Sequence, residues 1–503
     1  MTASAISSRS AWSAPGFPLL LAILLALTAL RVIGLHTSAV DLFFDEAQYW
    51  AWSRDLAFGY FSKPPLLAWI IAASDQLCGS GEACLRLASP LFYLATSLVV
   101  YAIADELYGK ETAFWSALTF ALLTGVSFST RIISTDVPLL FFWALALFAY
   151  LKLLAGPDWR WALVLGAALG FGLLAKYAMI YFALGVACAA WLDRDARDLL
   201  KRPQTWTAFA IAFVILSPNI YWNIANQFAT FKHTGENITG TGLRFRPFEA
   251  LTFFGSQFAV AGPLIFAAFL LIAWQAFRGK VTRQDRLMLD FAIPPLALVF
   301  ALSFFRGANA NWAAPTALSM TVLAVAWWLR SGNRGWMLAS LAIGVIMQAV
   351  LLLGDAYADR ISIAALGRNS DIYQRSLGWR RLGEEVTQLA RAHGAPTVAA
   401  DGRAEQAALT YYLRNEPLAV VSWARGAQAR SQFDLTQALD DAAKEPVLLF
   451  TGCTSPRRLA RFYADVTPLP RLTVQTGPQS NRRYAVFKLA RRQHPIEPPG
   501  PCP

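Results

Sequence analysis

Long apolar runs with almost no charge constrain this chain more than any other feature. FPLLLAILLALTALRVIGL (17–35) carries a single cation, Arg31. A helix of about 20 such residues crosses the roughly 30 Å of bilayer hydrocarbon, whereas a buried helix of a soluble core is shorter. Similar runs near 85–104, 112–129, 137–154, 161–175, 177–192, 205–222, 249–277, 287–305, 313–329 and 335–354 predict 11 spans. With 56% hydrophobic and 15% charged residues among 503, a bilayer is the solvent for most of the chain. The first run follows little charge and is long for a secretory signal, so it reads as a retained first helix. Between 161–175 and 177–192 stands Lys176, in a tight hairpin or a broken helix.

The net charge of +12 raises the question of nucleic acid, but no binding motif accompanies it. Many cations fall in short loops and set orientation instead. Arg194, Arg197, Lys201 and Arg202 lie in 191–203, and Arg278, Lys280, Arg283 and Arg286 in 278–286. Both loops are expected in the cytoplasm. Counting from them puts the N-terminus inside, and 36–84, 130–136, 223–248, 306–312 and everything after 354 outside. Beyond about residue 355 short strand-like and helix-like stretches alternate, such as TVAA (397–400), 403–414, VLLFTG (447–452) and YAVFKL (484–489). The expected organisation is therefore a transmembrane catalytic domain at 1–354 and an extracytoplasmic α/β domain at 355–503. Cys78 and Cys84 flank GSGEA in the first outer loop and are the favoured disulfide, with Cys453 and Cys502 in the outer domain and Cys188 in a span.

Chemistry is expected on the outer face. The first outer loop, DLFFDEAQYWAWSRDLAFGYFSKPPLLAWIIA, places Asp45 and Glu46 just beyond a membrane helix, where carboxylates are costly unless solvated or used. An interfacial helix with Trp50 and Trp52 as belt aromatics is the plainer reading. Lys63 stands before Pro64 and Pro65, where a cation held at a rigid turn suits a phosphate, or simply snorkels.

Taken together, DEAQYW and FSKPPLLAW resemble the first-loop signature of the ArnT-like and protein-O-mannosyltransferase-like superfamily. STDVPLLFFW (134–143), with Asp136 and Pro138, FFGSQFAVAGPL (253–264) and GANANWAAPTA (307–317) resemble later segments of the same superfamily, in the same order. The resemblance covers roughly 1–350 and is loose beyond. It implies a polytopic α-helical GT-C fold, a polyprenyl-phosphate sugar donor, and transfer on the outer face of a bacterial inner membrane to a glycolipid acceptor such as lipid A or lipopolysaccharide core. It leaves the sugar open.

Within that reading Asp45 is the expected general base, or the group orienting an acceptor phosphate. Glu46 orients Asp45 or bonds the sugar, and Lys63 neutralises the departing phosphate. Arg131, Lys176 and Arg306 are further candidate phosphate contacts; Asp136, Tyr60 and His233 are candidate substrate contacts. Asp45 and Asp136 are also the candidate ligands if a divalent metal takes part. The polar, glycine-containing stretch 226–250 reads as a lid. No HExxH or paired-His spacing occurs. A multi-span transporter or flippase of lipid-linked sugars is the alternative from another class, although no internal repeat accompanies the spans. A protein acceptor is the alternative within the superfamily.

Overall fold

The computed structural model describes residues 16–239, 245–363, 371–423, 429–452 and 459–494. Six of its helices are long and apolar enough to cross a membrane: Phe17–Thr37, Glu82–Tyr108, Asp136–Ala155, Pro203–Ala225, Arg283–Ser303 and Arg334–Ala356. A seventh candidate is the pair Pro247–Val260 and Pro263–Phe277, which bends by 114° at its break. Leu66–Cys78, Trp159–Ala175, Tyr177–Leu192 and Thr316–Arg330 are apolar but shorter.

Two of the predicted apolar runs are each divided between two helices. The run 112–129 is not one helix: Lys110–Ala121 stops at Leu122, and a separate Thr124–Ser129 turn follows. Arg31 meets the end of the Lys110–Ala121 helix, where a buried free carbonyl is costly. From the first helix its guanidinium donates to the Ala121 carbonyl at 2.5 Å and to Gln348 at 2.9 Å. A cation at a helix C-terminus also opposes the helix dipole. The run 249–277 is likewise broken at Gly262, whose φ of 88° favours glycine.

The two predicted basic loops lie together. Arg283 reaches Asp193 at 2.9 Å and Asp195 at 2.6 Å. The Asp136–Ala155 helix connects opposite faces of the bundle, since Lys152 near its far end pairs with Glu106 and the Leu153 carbonyl accepts from Arg202. Asp136, at its other end, belongs to the site described below.

After Ala356 the chain carries a five-stranded mixed sheet of order β2-β1-β3-β5-β4, with β1 at Thr397–Ala400, β2 at Ala419–Ser422, β3 at Val447–Thr451, β4 at Tyr463–Gln475 and β5 at Asn481–Arg492. β1, β2 and β3 run parallel; β5 is antiparallel to β3 and β4. Every residue of β1 and β3 is buried, as parallel strands covered on both faces require. The Trp379–Ala392 helix lays Trp379, Leu382 and Val386 on one face.

This unit is joined to the membrane part by polar contacts. Asp41 accepts from the Trp379 amide at 2.8 Å, Arg380 pairs with Glu82 at 2.9 Å, and Tyr412 donates to the same carboxylate at 2.8 Å. Cys78 and Cys84 form a disulfide with Cα atoms 5.8 Å apart. Cys188 is half-buried and its thiol donates to Asp290. Cys453 and Cys502 lie outside the described residues.

Candidate active site

The Phe44–Ser53 helix opens the first loop with both acidic residues in its first turn, where the dipole favours them. Successive helical residues point about 100° apart, so Asp45 and Glu46 face different surroundings. Glu46 is 2% exposed. Its Oε1 accepts from Arg86 Nε and the Ile133 amide, each at 2.9 Å, and Oε2 from Arg86 Nη2 at 2.7 Å and the Phe43 amide at 2.9 Å. With both oxygens doubly engaged, Glu46 has no capacity left for a sugar. Its geometry ties the first loop to Ile133 and to the helix of Arg86, which corrects the expectation of a catalytic or sugar-bonding group.

Asp45 is different. It is half-exposed, and among the described residues only Oδ1 is engaged, accepting from Arg403 Nη1 at 2.8 Å. Arg403 begins the Arg403–Tyr412 helix of the C-terminal unit and also donates to Gln48 at 3.0 Å. The guanidinium packs 5.0 Å from the Phe44 ring. One residue of the sheet unit thereby reaches the acidic group that the sequence selects.

Lys63 is set by its neighbours. Tyr60 stacks on Trp52 at 4.7 Å and 6°, and its amide donates to the Lys63 carbonyl. The Tyr60 hydroxyl is spent on the Trp52 carbonyl at 2.9 Å and the Ala57 amide at 3.1 Å. Tyr60 is therefore a buried brace for the loop and not the substrate contact expected of it. Among the described residues the Lys63 ammonium has no hydrogen-bond partner. Burial, and then repulsion from Lys176, lowers it from the ordinary lysine value, while Asp45 and Asp136 act against that shift.

Asp136 sits at the start of its helix, where Oδ1 accepts from Lys176 Nζ at 2.7 Å and Oδ2 from Asn311 Nδ2 at 2.6 Å. Lys176 is presented by extended backbone between Ala175 and the short turn Tyr177–Ile180, so the helix break at 176 serves the site. Asp45, Lys63, Asp136, Lys176 and Arg403 thus form one electrostatic cluster, three cations with two carboxylates. Such an excess suits an anionic ligand.

Part of the stretch read as a lid is helical. Ala229–Thr239 is a helix whose Thr230 hydroxyl donates to the Tyr60 carbonyl at 2.7 Å, whose Phe231 stacks on Tyr177, and whose His233 packs 5.3 Å from Phe61. It leans on both cation-bearing loops.

Arg131 is placed elsewhere. It pairs with Asp355 at 3.0 Å and donates to the Leu351 carbonyl, so its charge is consumed in holding the end of the last long helix, a correction to its expected phosphate role. Arg306 follows the Ile293–Ser303 helix, next to Gly307, which faces Glu249.

For a divalent metal, Asp45 and Asp136 do not make a fitting pair. Each is already matched by a cation, Asp136 has both oxygens occupied, and no group of three or more His, Cys, Asp or Glu that could hold a metal ion occurs among the described residues. No step is routed through a metal below.

Sequence reasoning missed Arg403, Asn311 and Arg86. Asn311 lies inside a segment that resembles the superfamily, so a signal for it existed; Arg403 is 358 residues from Asp45 and had none.

Residues 62–222 match the family model described as dolichyl-phosphate-mannose-protein mannosyltransferase. The chain is 33% identical over 432 residues to the lipid A galacturonosyltransferase RgtD of Rhizobium johnstonii, covering 86% of this chain and 90% of that protein. It belongs to the ArnT-like family of GT-C glycosyltransferases. The lipopolysaccharide core galacturonosyltransferase RgtB of the same organism is 30% identical over 45% of each chain. Among solved structures, ArnT from Cupriavidus metallidurans bound to undecaprenyl phosphate superposes with a TM-score of 0.66 at 19% identity, over 93% of this chain and 97% of that one. That likeness gives the fold: a polytopic membrane protein of the ArnT-like GT-C kind. As a family member the chain is an enzyme, and the transporter alternative is set aside.

Proposed function

We propose that this chain transfers a galacturonosyl group from a polyprenyl phosphate to lipid A, or to the lipopolysaccharide core, on the periplasmic face of the bacterial inner membrane. One observation carries the reading: the Lys63 ammonium, unpartnered among the described residues, stands in one cluster with Asp45, whose second oxygen is open. The nature of sugar and acceptor is supported by the relative that shares most of the chain's length. The protein-acceptor alternative has less support, since the family model named for it covers only residues 62–222.

In this reading residues 1–354 bind the donor and 355–503 lie in the periplasm. Asp45 takes the proton of an acceptor hydroxyl as that oxygen attacks the anomeric carbon. The new glycosidic bond forms while the bond from that carbon to the phosphate oxygen breaks, with inversion, and the electron pair leaves with polyprenyl phosphate. Lys63 meets the charge that grows on this leaving group. Were the acceptor atom a phosphate oxygen, already anionic, Asp45 would orient it instead. Lys176 and Asn311 hold Asp136 as a second carboxylate for sugar hydroxyls, and Arg403 fixes Asp45.

Orientation follows from the basic loops. Arg283, Asp193 and Asp195 bring 193–202 and 278–286 to one end of the bundle, away from Asp136, and cytoplasmic placement of that end leaves the cluster outside. Lipid analysis of a deletion strain tests the assignment. Loss of a galacturonosyl group from lipid A or core is expected; an unchanged envelope glycolipid profile would contradict it.

A further inference from the structure

The C-terminal sheet contains a cavity that the transfer chemistry above does not use. β1 is flanked by β2 on one side and β3 on the other, and the chain reaches β2 from β1, then crosses to β3. At such a switch in parallel strand order, the crevice outside the carboxyl ends of the strands is where α/β sheets place ligands. Here that crevice holds a cavity of about 300 Å³ lined by Asp401, Glu405, Gly452, Arg482, Arg483 and Tyr484.

The lining follows from the topology. Asp401 directly succeeds β1 and accepts from Thr451, the last residue of β3. Thr451 is registered with Ala485, which brings Gly452 and Tyr484 together at the same edge. Glu405 descends from the first turn of the Arg403–Tyr412 helix. Arg482 lies 3.7 Å from the Trp379 ring and donates to the Leu377 and Gln374 carbonyls, so its plane is fixed. The Tyr484 side chain is buried, and its hydroxyl lies between Glu405 and Arg482, within reach of both. Arg483 is exposed and has no ion pair among the described residues. A crevice that presents two carboxylates, a phenol and two guanidinium groups suits a ligand with hydroxyls and an anionic substituent.

The cavity is coupled to the reaction centre. Arg403, which holds Asp45 at 2.8 Å, lies two residues from Glu405, about 3 Å along the helix axis. Trp379, the platform under Arg482, is anchored to Asp41 in the first loop at 2.8 Å. At the lower end of the roughly 300–1,000 Å³ of small-molecule sites, the cavity has room for about one sugar ring.

We propose that this crevice of the C-terminal unit is the acceptor headgroup site, binding a phosphorylated sugar of the glycolipid through Arg483, Asp401, Glu405 and Tyr484. The inference rests on the transferase reading and adds where the acceptor is recognised. Arg483 takes the anionic group as a charge-assisted pair, Asp401 and Glu405 accept from sugar hydroxyls, and the acyl chains stay in the bilayer below.

The test uses the full chain in lipid nanodiscs and the deacylated, phosphorylated glucosamine disaccharide headgroup as probe. Titration should show saturable binding that weakens about ten- to a hundredfold in Arg483→Ala, the range for one charge-assisted bond, and further in Arg483→Glu. Because Arg483 is exposed, neither variant should disturb the fold, which circular dichroism checks. In parallel, transfer assays should show a raised KM for acceptor with an unchanged KM for the polyprenyl-linked donor. Equal headgroup binding by wild type and both variants, or no binding by wild type, would overturn the site. Failure of the transferase reading would show separately, as wild-type protein that binds the headgroup but transfers no sugar.

Discussion

Removing the Glu46 side chain should destabilise the fold through the first loop, whereas removing the Asp45 charge should impair the chemistry and leave the fold intact. In the Glu46–Arg86 pair the two side chains are 2% and 3% exposed, with four hydrogen bonds ending on the carboxylate. Truncating one member of such a pair leaves a buried charge uncompensated and costs about 3–5 kcal/mol. The Asp45–Arg403 pair is 35% and 40% exposed, so solvent screens it and its loss costs under about 1 kcal/mol. Glu46→Ala should therefore shift the chemical unfolding midpoint of the purified protein in detergent far more than Asp45→Asn. Adding Arg86→Ala should restore part of the loss, though not all, because Arg86 also serves the Val40 and Asp41 carbonyls. A Glu46→Ala protein that unfolds at the wild-type midpoint yet transfers no sugar would refute this reasoning and return Glu46 to the reaction.

Four further outcomes are expected. Asp45→Asn should lower kcat by about 10²–10⁴, the contribution of a positioned base, with donor KM little changed; a wild-type rate in folded protein would move the base elsewhere. Lys63→Ala should raise donor KM and lower kcat together. Since burial and Lys176 hold the Lys63 ammonium below its ordinary value, it loses its proton as pH rises toward that value, so donor affinity should fall over that alkaline limb and Lys63→Arg should flatten it. A reporter fused after residue 360 should work only if it functions outside the cytoplasm, and a cytoplasmic signal there would overturn the outer-face site.

Much of the membrane part was legible because hydrocarbon imposes a length and an apolarity that a sequence records directly. The run 112–129 satisfies both and still is not one continuous helix; the Ala121 carbonyl at its break is met by Arg31 from a distant helix. Asp45, Lys63 and Asp136 were singled out by their place in segments that resemble the superfamily, and the fold brings the three into one electrostatic cluster. Glu46 looks identical to Asp45 in sequence; only helical rotation turns it toward Arg86. Tyr60 and Arg131 fall in predicted outer loops, but each finds internal partners, and buried polar groups take partners wherever the fold offers them. Arg403 was illegible for a different reason, since no local pattern states which helix of the second unit docks on the first loop.

The central claim is a lipid-linked transfer run by Asp45 and Lys63. Purified full-length protein in nanodiscs, given polyprenyl-phosphate-linked galacturonic acid and lipid A, tests it most directly, with product configuration read by nuclear magnetic resonance. The account predicts a galacturonosyl lipid A of inverted anomeric configuration, formed by wild type and lost in Asp45→Asn and Lys63→Ala. Transfer that proceeds undiminished in both variants, or that yields a product of retained configuration, would contradict it.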